Sequence, residues 1–202
     1  MSEPAQPPGY TSGRDGSQEP VRATWELREP RAGDAEGIAA LHARVWAATY
    51  RGIMSDEVVD ALDPEQFRPM WDQVVAAYDA GAVPDDGRGI LLATSDGQPA
   101  GFCLHGPARD EDPPTPHQLF TLNVAPELHG TGLAQELLAR ALGDRAAYLW
   151  VARGNDRAVR FYEQQGFAPD GTEGLDGHEG VVELRMVRPA PGRSDRSATV
   201  GG

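Results

Sequence analysis

The chain has 202 residues, a length suited to one globular domain, with 31 acidic against 18 basic side chains and a formal net charge of −13. Every basic residue is arginine, and the chain has no basic stripe to neutralise a phosphate backbone, which excludes nucleic acid as the main partner. The acidic field instead favours cationic small molecules such as amines.

The cysteine content and the hydropathy narrow the class of protein further. The single cysteine, Cys103, excludes an internal disulfide and a CxxC metal or redox site, so we expect no metal and a small buried residue in a strand. The sequence has no signal peptide pattern and no apolar stretch long enough to span a membrane. We therefore expect a soluble, cytoplasmic protein that does not bind membranes.

Both ends of the chain differ in composition from its middle. Residues 1–22 and 190–202 are rich in Pro, Gly and Ser and contain almost nothing to bury, so we expect two disordered tails. Residues 23–189 are predicted to form a single domain.

The first half of this domain starts with a strand and continues with helices. Trp25–Glu29 alternates like a strand, and Asp34 is the expected N-cap of a helix that follows. Ser55–Leu62 and Pro64–Tyr78 predict one short and one full helix. The apolar residues with near-helical spacing in the first helix are Ile38, Leu41, Val45 and Trp46.

The middle of the chain predicts three strands. Gly89–Thr94 and Ala100–Leu104 flank the dipeptide Asp96–Gly97, which supplies the positive φ that a hairpin turn needs. Gly106–Pro116 is rich in Pro and acidic residues and predicts a loop. Leu119–Val124 predicts the next strand.

The last third alternates helices with strands. Leu133–Leu142 has helical spacing, Tyr148–Ala152 predicts a strand, and Asp156–Gln165 predicts a helix closed by Gly166. Val181–Val187 predicts a closing strand. Helices that interrupt a mixed sheet in this order predict an α/β or α+β layer fold.

A glycine-rich segment separates the third predicted strand of the middle region from the helix that follows it. Residues 129–134 read HGTGLA, and the two glycines let backbone N–H groups approach an anion at a helix N-terminus. The segment matches neither a P-loop nor a dinucleotide fingerprint. Alone it predicts either a phosphate site or a plain glycine turn into a helix.

A second motif strengthens the first interpretation. Residues 124–134 read VAPELHGTGLA and residues 155–167 read NDRAVRFYEQQGF. Together they resemble the GNAT superfamily of N-acetyltransferases, whose pattern is Val-x-Pro, Gln/Arg-x-x-Gly-x-Gly/Ala, Asn-x-x-Ala-x-x-Phe-Tyr and Gly-Phe. The resemblance covers about residues 24–188, and its specific part is Leu119–Phe167.

This resemblance implies an α/β fold with a mixed, mostly antiparallel sheet, splayed between strands 4 and 5 and with helices on both faces. Acetyl-CoA would lie in the cleft, with Asn155 on its arm and Tyr162 protonating the departing thiolate. The backbone groups implied to pair with the pantetheine arm and to polarise the acetyl carbonyl belong to Leu122, Asn123 and Val124. The amides implied to bind the pyrophosphate belong to His129, Gly130, Thr131, Gly132, Leu133 and Ala134.

Elementary chemistry supports these roles. A fixed N–H aimed at the carbonyl oxygen, where charge develops as the amine attacks, is commonly worth ~3 kcal/mol. A tyrosine hydroxyl of pKa about 10 is a workable acid toward a thiolate whose conjugate acid lies near 8.5, if it is within reach. The alternatives are a core aromatic for Tyr162 and a helix N-cap for Asn155, and this cap is compatible with the cofactor contact.

Two positions depart from the resemblance. His129 replaces the usual Gln or Arg, which keeps the backbone cradle but removes one phosphate-side contact. Protein N-terminal acetyltransferases of the superfamily use a glutamate of the fifth strand as base, and Trp150 occupies that position. This argues against a peptide N-terminus as acceptor.

The acceptor side is less defined. Trp46 and Tyr50 are expected to line the acceptor pocket, the alternative being core packing, and Arg157 and Arg160 are either partners of the adenosine phosphate or surface residues. An amine of pKa near 10 must lose a proton before it attacks. The candidate bases are Glu111, Asp112, His117 and Glu183. The alternative for each of them is a solvated polar group without a role in catalysis.

The sequence thus predicts an acetyl-CoA-dependent N-acetyltransferase that works by direct transfer in a ternary complex, with a small-molecule amine as acceptor. The alternatives are acetylation of protein lysines or N-termini and a non-catalytic acyl-CoA-binding domain. Many relatives dimerise, so a homodimer is compatible with the resemblance, although no heptad or exposed patch indicates one.

Overall fold

The computed structural model of the chain describes residues 24–83, 85–175 and 180–191. The two predicted tails, residues 1–22 and 190–202, lie outside the described residues except for residues 190 and 191.

Within these ranges, seven strands form one sheet in the order β1-β2-β3-β4-β5-β7-β6. All neighbouring strands are antiparallel except β4 and β5, which are parallel. This confirms the mixed, mostly antiparallel sheet. The strands are β1 (Glu26–Arg28), β2 (Gly89–Ser95), β3 (Gln98–Pro107), β4 (His117–Val124), β5 (Ala147–Ala152), β6 (Ala168–Leu175) and β7 (Val182–Arg188).

In the described part of the chain, five α-helices and one 3₁₀ turn, Pro126–Leu128, connect the strands. The three helices between β1 and β2 fall where helical spacing predicts them, and so do the two that follow β4 and β5. The helices are α1 (Asp34–Tyr50), α2 (Asp56–Asp60), α3 (Pro64–Asp79), α4 (Leu133–Leu142) and α5 (Asp156–Gln164).

Helices cover both faces of the sheet, and each face has its own apolar core. Adjacent residues of β3 show this, because side chains of a strand alternate between faces. Phe102 packs with α1 and α3, whereas Cys103 packs with α4 and α5, and both are 0% exposed. We call these sides the α1/α3 face and the α4/α5 face. Cys103 is thus the buried strand residue that the sequence predicted.

The sheet splits between β4 and β5. Only the pairs Gln118–Tyr148 and Leu119–Leu149 join the two strands. Phe120 is an extra residue opposite β3, because Leu104 pairs with Thr121 and His105 with Leu119. Such a bulge bends the strand that carries it. Residues 120–124 therefore diverge from β5 and open a V-shaped cleft, as the resemblance implies.

The expected N-cap of α1 is wrong. Gly33, at φ 90°, precedes the helix, and Asp34 is its first residue. The Asp34 carboxylate accepts the Arg31 N–H at 2.7 Å and forms an ion pair with Arg28 at 2.6 Å. Its acceptor atoms are thus turned toward the preceding loop and β1 instead of the amides of the first helical turn.

Strand β6 is the one strand that the periodicity does not predict. Its residues, APDGTEGL, contain one proline and two glycines, and its pairing with β7 is interrupted between Pro169 and Glu173. Proline and glycine are tolerated on an edge strand because one of its sides needs no ladder partner. The described helices include none that is both long and apolar enough to cross a lipid bilayer.

Candidate functional site

The split in the sheet opens into a cavity of about 480 Å³. Its wall includes residues 119–124 of β4 and residues 149–152 of β5, together with parts of α1, α4, α5 and β7. The cavity thus reaches both faces of the sheet through the gap between the two strands.

On the α4/α5 face the cavity ends at the glycine-rich turn that precedes α4. Gly130 and Gly132 have φ of 78° and 99°, where side chains with a Cβ are strained, and a Cβ on either residue would meet no atom within 4 Å. The glycines are therefore required by the backbone conformation, and the space beside them is open. An anion can approach this backbone closely.

The amides of this turn divide into two groups. Those of His129 and Thr131 donate to the carbonyls of Pro126 and Leu128 at 3.2 and 3.3 Å, so they are already used within the turn. Five amides have no main-chain acceptor within the described ranges, as expected for a helix N-terminus. They belong to Gly130, Gly132, Leu133, Ala134 and Gln135, and we call them the amide cradle.

The His129 side chain stabilises the cradle from behind. Its Nε2 lies 3.1 Å from the Val124 carbonyl oxygen and must donate to it, since a carbonyl only accepts. Burial, together with the nearby Arg157 guanidinium, lowers the pKa of His129. The neutral ring thus ties the turn to the end of β4, a role that the sequence did not predict.

The open edge of β4 presents alternate main-chain groups. Ala125 N–H donates to the Ala100 carbonyl at 2.9 Å, and antiparallel ladders alternate bonded and non-bonded pairs. The groups of Leu122 and Val124 therefore face the cleft, whereas those of Asn123 face β3. A Cβ on Gly101 would lie 2.9 Å from the Asn123 carbonyl oxygen, which agrees with this direction. The register thus removes the backbone of Asn123 from the predicted pantetheine contacts.

Tyr162, on α5, lines the cavity from the α4/α5 face. Its ring contacts Phe161 and Phe167 with centroid separations of 5.2 and 5.8 Å. Burial, and to a lesser extent the neighbouring Cys103 thiol, raises the pKa of Tyr162. The hydroxyl therefore keeps its proton at neutral pH.

Asn155 and two arginines belong to the same wall. Asn155 caps α5, since its side chain accepts the Ala158 N–H at 3.1 Å. The N-cap interpretation is thus confirmed, and the cavity still contacts this residue. Arg157 and Arg160 also line the cavity, and neither forms an ion pair with any described residue. They make this end of the cavity positive.

The other end of the cavity lies on the α1/α3 face. Val45, Thr49 and Tyr50 reach it from α1, and Glu183 reaches it from β7. Trp46 is not part of the wall and instead packs on Tyr50 with ring centroids 4.2 Å apart. Of the two residues predicted to line the acceptor pocket, only Tyr50 therefore contacts the cavity.

Among the four candidate bases, only Glu183 lines the cavity. His117 is instead within 3.0 Å of His105, Nε2 to Nδ1, and burial lowers its pKa. Glu111 and Asp112 lie in the loop between β3 and β4 and are absent from the wall.

Several wall residues were not predicted from the sequence. Ala158 and Phe161 belong to the second motif. Helical spacing places Ala158 on the same side of the helix as Asn155, Phe161 and Tyr162, because residues three or four apart are neighbours. Gln135 continues the cradle by one amide, which the helix boundary could have shown. No motif or spacing in the sequence predicts Thr49 and Thr121 as wall residues, because only the tertiary fold brings them together.

Comparison with known proteins agrees with this geometry. The acetyltransferase (GNAT) family matches residues 46–167. A probable N-acetyltransferase of Mycobacterium tuberculosis is 30% identical over 148 residues, which is 72% of this chain and 80% of the relative.

Two solved structures share the fold. The PaiA N-acetyltransferase of Thermoplasma acidophilum, in complex with coenzyme A, has a TM-score of 0.63 and 22% identity, covering 82% of this chain and 99% of its own. The ribosomal-protein-S18-alanine N-acetyltransferase of Escherichia coli has a TM-score of 0.55 and 17% identity, covering 87% and 100%. Because the match to the family covers more than half of this chain, the chain belongs to the acetyltransferase (GNAT) family of acyltransferases.

Proposed function

We propose that the protein transfers the acetyl group of acetyl-CoA to the nitrogen of a small-molecule amine, by direct attack in a ternary complex. The observation that carries this proposal is one cavity that joins the amide cradle, the open edge of β4 and a polar pocket on the opposite face of the sheet. Such a cavity lets two substrates meet at the gap between the strands. The reaction is proposed for the cytoplasm, where the single thiol stays reduced.

The cradle suits the pyrophosphate of a coenzyme A ester. Its five amides lack main-chain acceptors among the described residues, and the α4 dipole favours an anion there. Arg157 and Arg160 supply positive charge beside it for the remaining phosphate.

The open edge of β4 suits the pantetheine arm and the thioester. The cleft-facing amides of Leu122 and Val124 and the Leu122 carbonyl can pair with an extended amide chain, where β5 has diverged from β4. One of these amides then donates to the thioester oxygen as charge develops on it, a contribution of ~3 kcal/mol to catalysis. Attack by the amine nitrogen on the carbonyl carbon forms the amide bond as the C–S bond breaks.

Tyr162 is the proposed acid that protonates the departing sulfur. Its raised pKa keeps the hydroxyl protonated before transfer. The same burial also disfavours a free thiolate, which raises the pKa of the leaving thiol and makes the proton transfer less uphill. No cysteine nucleophile is required, and Cys103, whose pKa burial raises to about 12, is unsuited to be one.

Two other functions compete with this one. A peptide N-terminus as acceptor is disfavoured because Trp150 replaces the glutamate expected on the fifth strand, and its Nε1 donates to Asp110 at 3.2 Å. A silent acyl-CoA-binding domain is disfavoured because Tyr162 and Glu183 both reach the cavity.

Thiol release from acetyl-CoA, measured with a library of small amines and with a peptide array carrying lysines and free N-termini, separates the three functions. We expect turnover with small amines well above the amine-free rate of hydrolysis. Turnover confined to peptides would show that the acceptor is a protein and not a small amine. Binding of acetyl-CoA without turnover on either library would indicate a non-catalytic acyl-CoA-binding domain.

A further inference from the structure

Two aromatic side chains flank the point where the sheet splits. The last paired residues are Leu119 of β4 and Leu149 of β5, so Phe120 and Trp150 are the first residues of the two strands beyond the pairing. Both side chains line the cavity and are partly exposed. Neither belongs to an apolar cluster of the described chain. The cavity thus has an aromatic surface that the folded core does not use.

Both rings lie on the α1/α3 face of the sheet. Leu149 packs in the core of the α4/α5 face, so its neighbour Trp150 points to the opposite side. The Phe120 ring lies over Gly106, because a Cβ on that glycine would be 3.1 Å from Cε2 of the ring. Gly106 follows Leu104 by two residues on β3, and Leu104 packs on the α1/α3 core. The rings are therefore opposite the cradle, where the acceptor would enter.

The Trp150 ring is held in a fixed plane by its neighbours. Its Nε1 donates to Asp110 at 3.2 Å, and a Cβ on Gly174 of β6 would lie only 3.1 Å from its Cζ3. The backbone of β6 can thus lie against the ring because this residue has no side chain. The Arg185 guanidinium is 5.7 Å from the ring centroid and forms an ion pair with Asp170 at 2.7 Å. A ring held in this way loses little conformational entropy when a ligand binds.

The Phe120 ring has a cation behind it. The Arg109 guanidinium carbon lies 3.8 Å from the ring centroid, and Arg109 is outside the described cavity wall. The guanidinium forms no ion pair with any described residue, so its charge acts through the ring. It draws the ring electrons to its own side and repels a second cation in front. The ring surface toward the cavity therefore favours an uncharged group.

We infer that Phe120 and Trp150 select the acceptor, and that the acceptor class carries a flat aryl group close to the nitrogen that receives the acetyl group. The inference rests on the proposed function. Aromatic pairs in offset or edge-to-face contact are more stable than their buried area alone explains, which favours an aryl group over an alkyl group of equal size. The two rings begin where β4 and β5 separate, so the aryl group would lie beside the reacting centre.

Two acceptors of equal charge and similar size test this inference. 2-Phenylethylamine and 2-cyclohexylethylamine differ in whether the six-membered ring is flat and aromatic or puckered and saturated. The concentration dependence of Tm, for the protein saturated with coenzyme A, gives the apparent Kd of each amine, and thiol release gives turnover. We expect the phenyl compound to bind roughly fivefold more tightly, because it can make aromatic contacts with both rings.

Substitution of either ring should remove this preference. Phe120→Leu and Trp150→Leu each keep an apolar side chain, so we expect the two amines to bind about equally, with coenzyme A binding unchanged. Trp150→Phe keeps an aromatic ring and lacks the N–H that bonds to Asp110, so it should still prefer the phenyl compound. Trp25→Leu is the matched control, because Trp25 also donates its Nε1 hydrogen to a carboxylate, that of Glu136, and is outside the wall. It should bind both amines like the wild type.

The outcomes separate the inference from the proposed function. Absence of stabilisation by coenzyme A itself would overturn both. Stabilisation by coenzyme A with equal binding of the two amines by the wild type, or with tighter binding of the cyclohexyl compound, would overturn the inference alone. A preference for the phenyl compound that persists in both Phe120→Leu and Trp150→Leu would do the same, and so would binding of neither amine.

Discussion

The two ends of the cavity are built from different parts of the chain. The end on the α4/α5 face uses main-chain amides of one continuous segment, residues 130–135. The end on the α1/α3 face uses side chains and a helix terminus that are more than 130 residues apart, Thr49 and Tyr50 against Glu183.

This difference explains why one end leaves a motif and the other does not. A backbone cradle requires glycines at positive φ, which are visible in the sequence. A side-chain pocket requires only that the fold bring the right groups together. The backbone cradle therefore suits a substrate that all members of a family share, and the side-chain pocket suits a substrate that differs between members.

The largest expected effect comes from the cradle. Gly132→Glu places a carboxylate where the pyrophosphate would bind, so we expect binding of acetyl-CoA to fall by at least 100-fold, measured by calorimetry. Gly171→Glu is the control, because Gly171 also has a positive φ, 86°, and open space for a Cβ, and it lies on β6 away from the cavity. Equal affinity in the two variants would mean that the cradle does not hold the cofactor.

The α1/α3 face contains a buried histidine, His42, whose titration is expected to destabilise the fold in acid. Burial among Phe67, Trp71 and Phe102 lowers the pKa of His42 to about 4, and its Nδ1 accepts the Trp71 Nε1 hydrogen at 3.2 Å. Only the unfolded state takes up this proton as pH falls below about 6.5, so the folded state loses stability from there down to about pH 4.

The loss at pH 4 amounts to about 3 kcal/mol relative to pH 7. His42→Gln keeps an acceptor for Trp71 and cannot titrate, so we expect denaturant unfolding of this variant to show a smaller loss by about that amount. The wild type and the variant share every other titrating group. If the wild type and the variant lost the same stability between pH 7 and pH 4, His42 would not be the source of the loss.

The proposed function makes Tyr162 the acid for catalysis at the junction of the two ends. Tyr162→Phe should lower kcat at least tenfold and leave KM for acetyl-CoA nearly unchanged, because the hydroxyl acts on the leaving sulfur. Tyr148→Phe is the matched control, since the Tyr148 hydroxyl donates to Gln118 at 2.9 Å and is outside the wall. An unaltered kcat in Tyr162→Phe would refute the role of an acid.

The smallest effect concerns the support of the cradle. His129→Ala removes the bond to the Val124 carbonyl, a net loss of about 1 kcal/mol, so acetyl-CoA should bind roughly fivefold more weakly. His129→Gln can still donate to that carbonyl and should bind like the wild type. Weakening by both variants to the same extent would indicate a direct ring contact with the cofactor instead.

The order of elements could be predicted because most of them have clear periodicity and turn residues. The hairpin at Asp96–Gly97 is an example, since both residues adopt positive φ, 50° and 76°. Strand β6 could not be predicted because the residues of an irregular edge strand need not alternate. Asp34 misled the prediction because its carboxylate has a stronger partner in Arg28 than the helix amides.

The candidate site divides in the same way. The cradle glycines and Tyr162 could be identified from two motifs. Whether the main-chain groups of Asn123 or those of its neighbours face the cleft depends on the pairing register of β3 and β4, which a motif does not encode. The choice of Glu183 among four candidate bases depends on the tertiary position of β7 beside β5.

Thermal unfolding with and without acetyl-CoA, repeated with propionyl-CoA and succinyl-CoA, is the most direct test of acyl-CoA binding in the cleft. A ligand at 100 times its Kd adds about 2.7 kcal/mol to the stability of the folded state, so we expect a clear rise in Tm with acetyl-CoA. Absence of a shift with any of the three esters would contradict it, because the cleft would then hold no acyl-CoA.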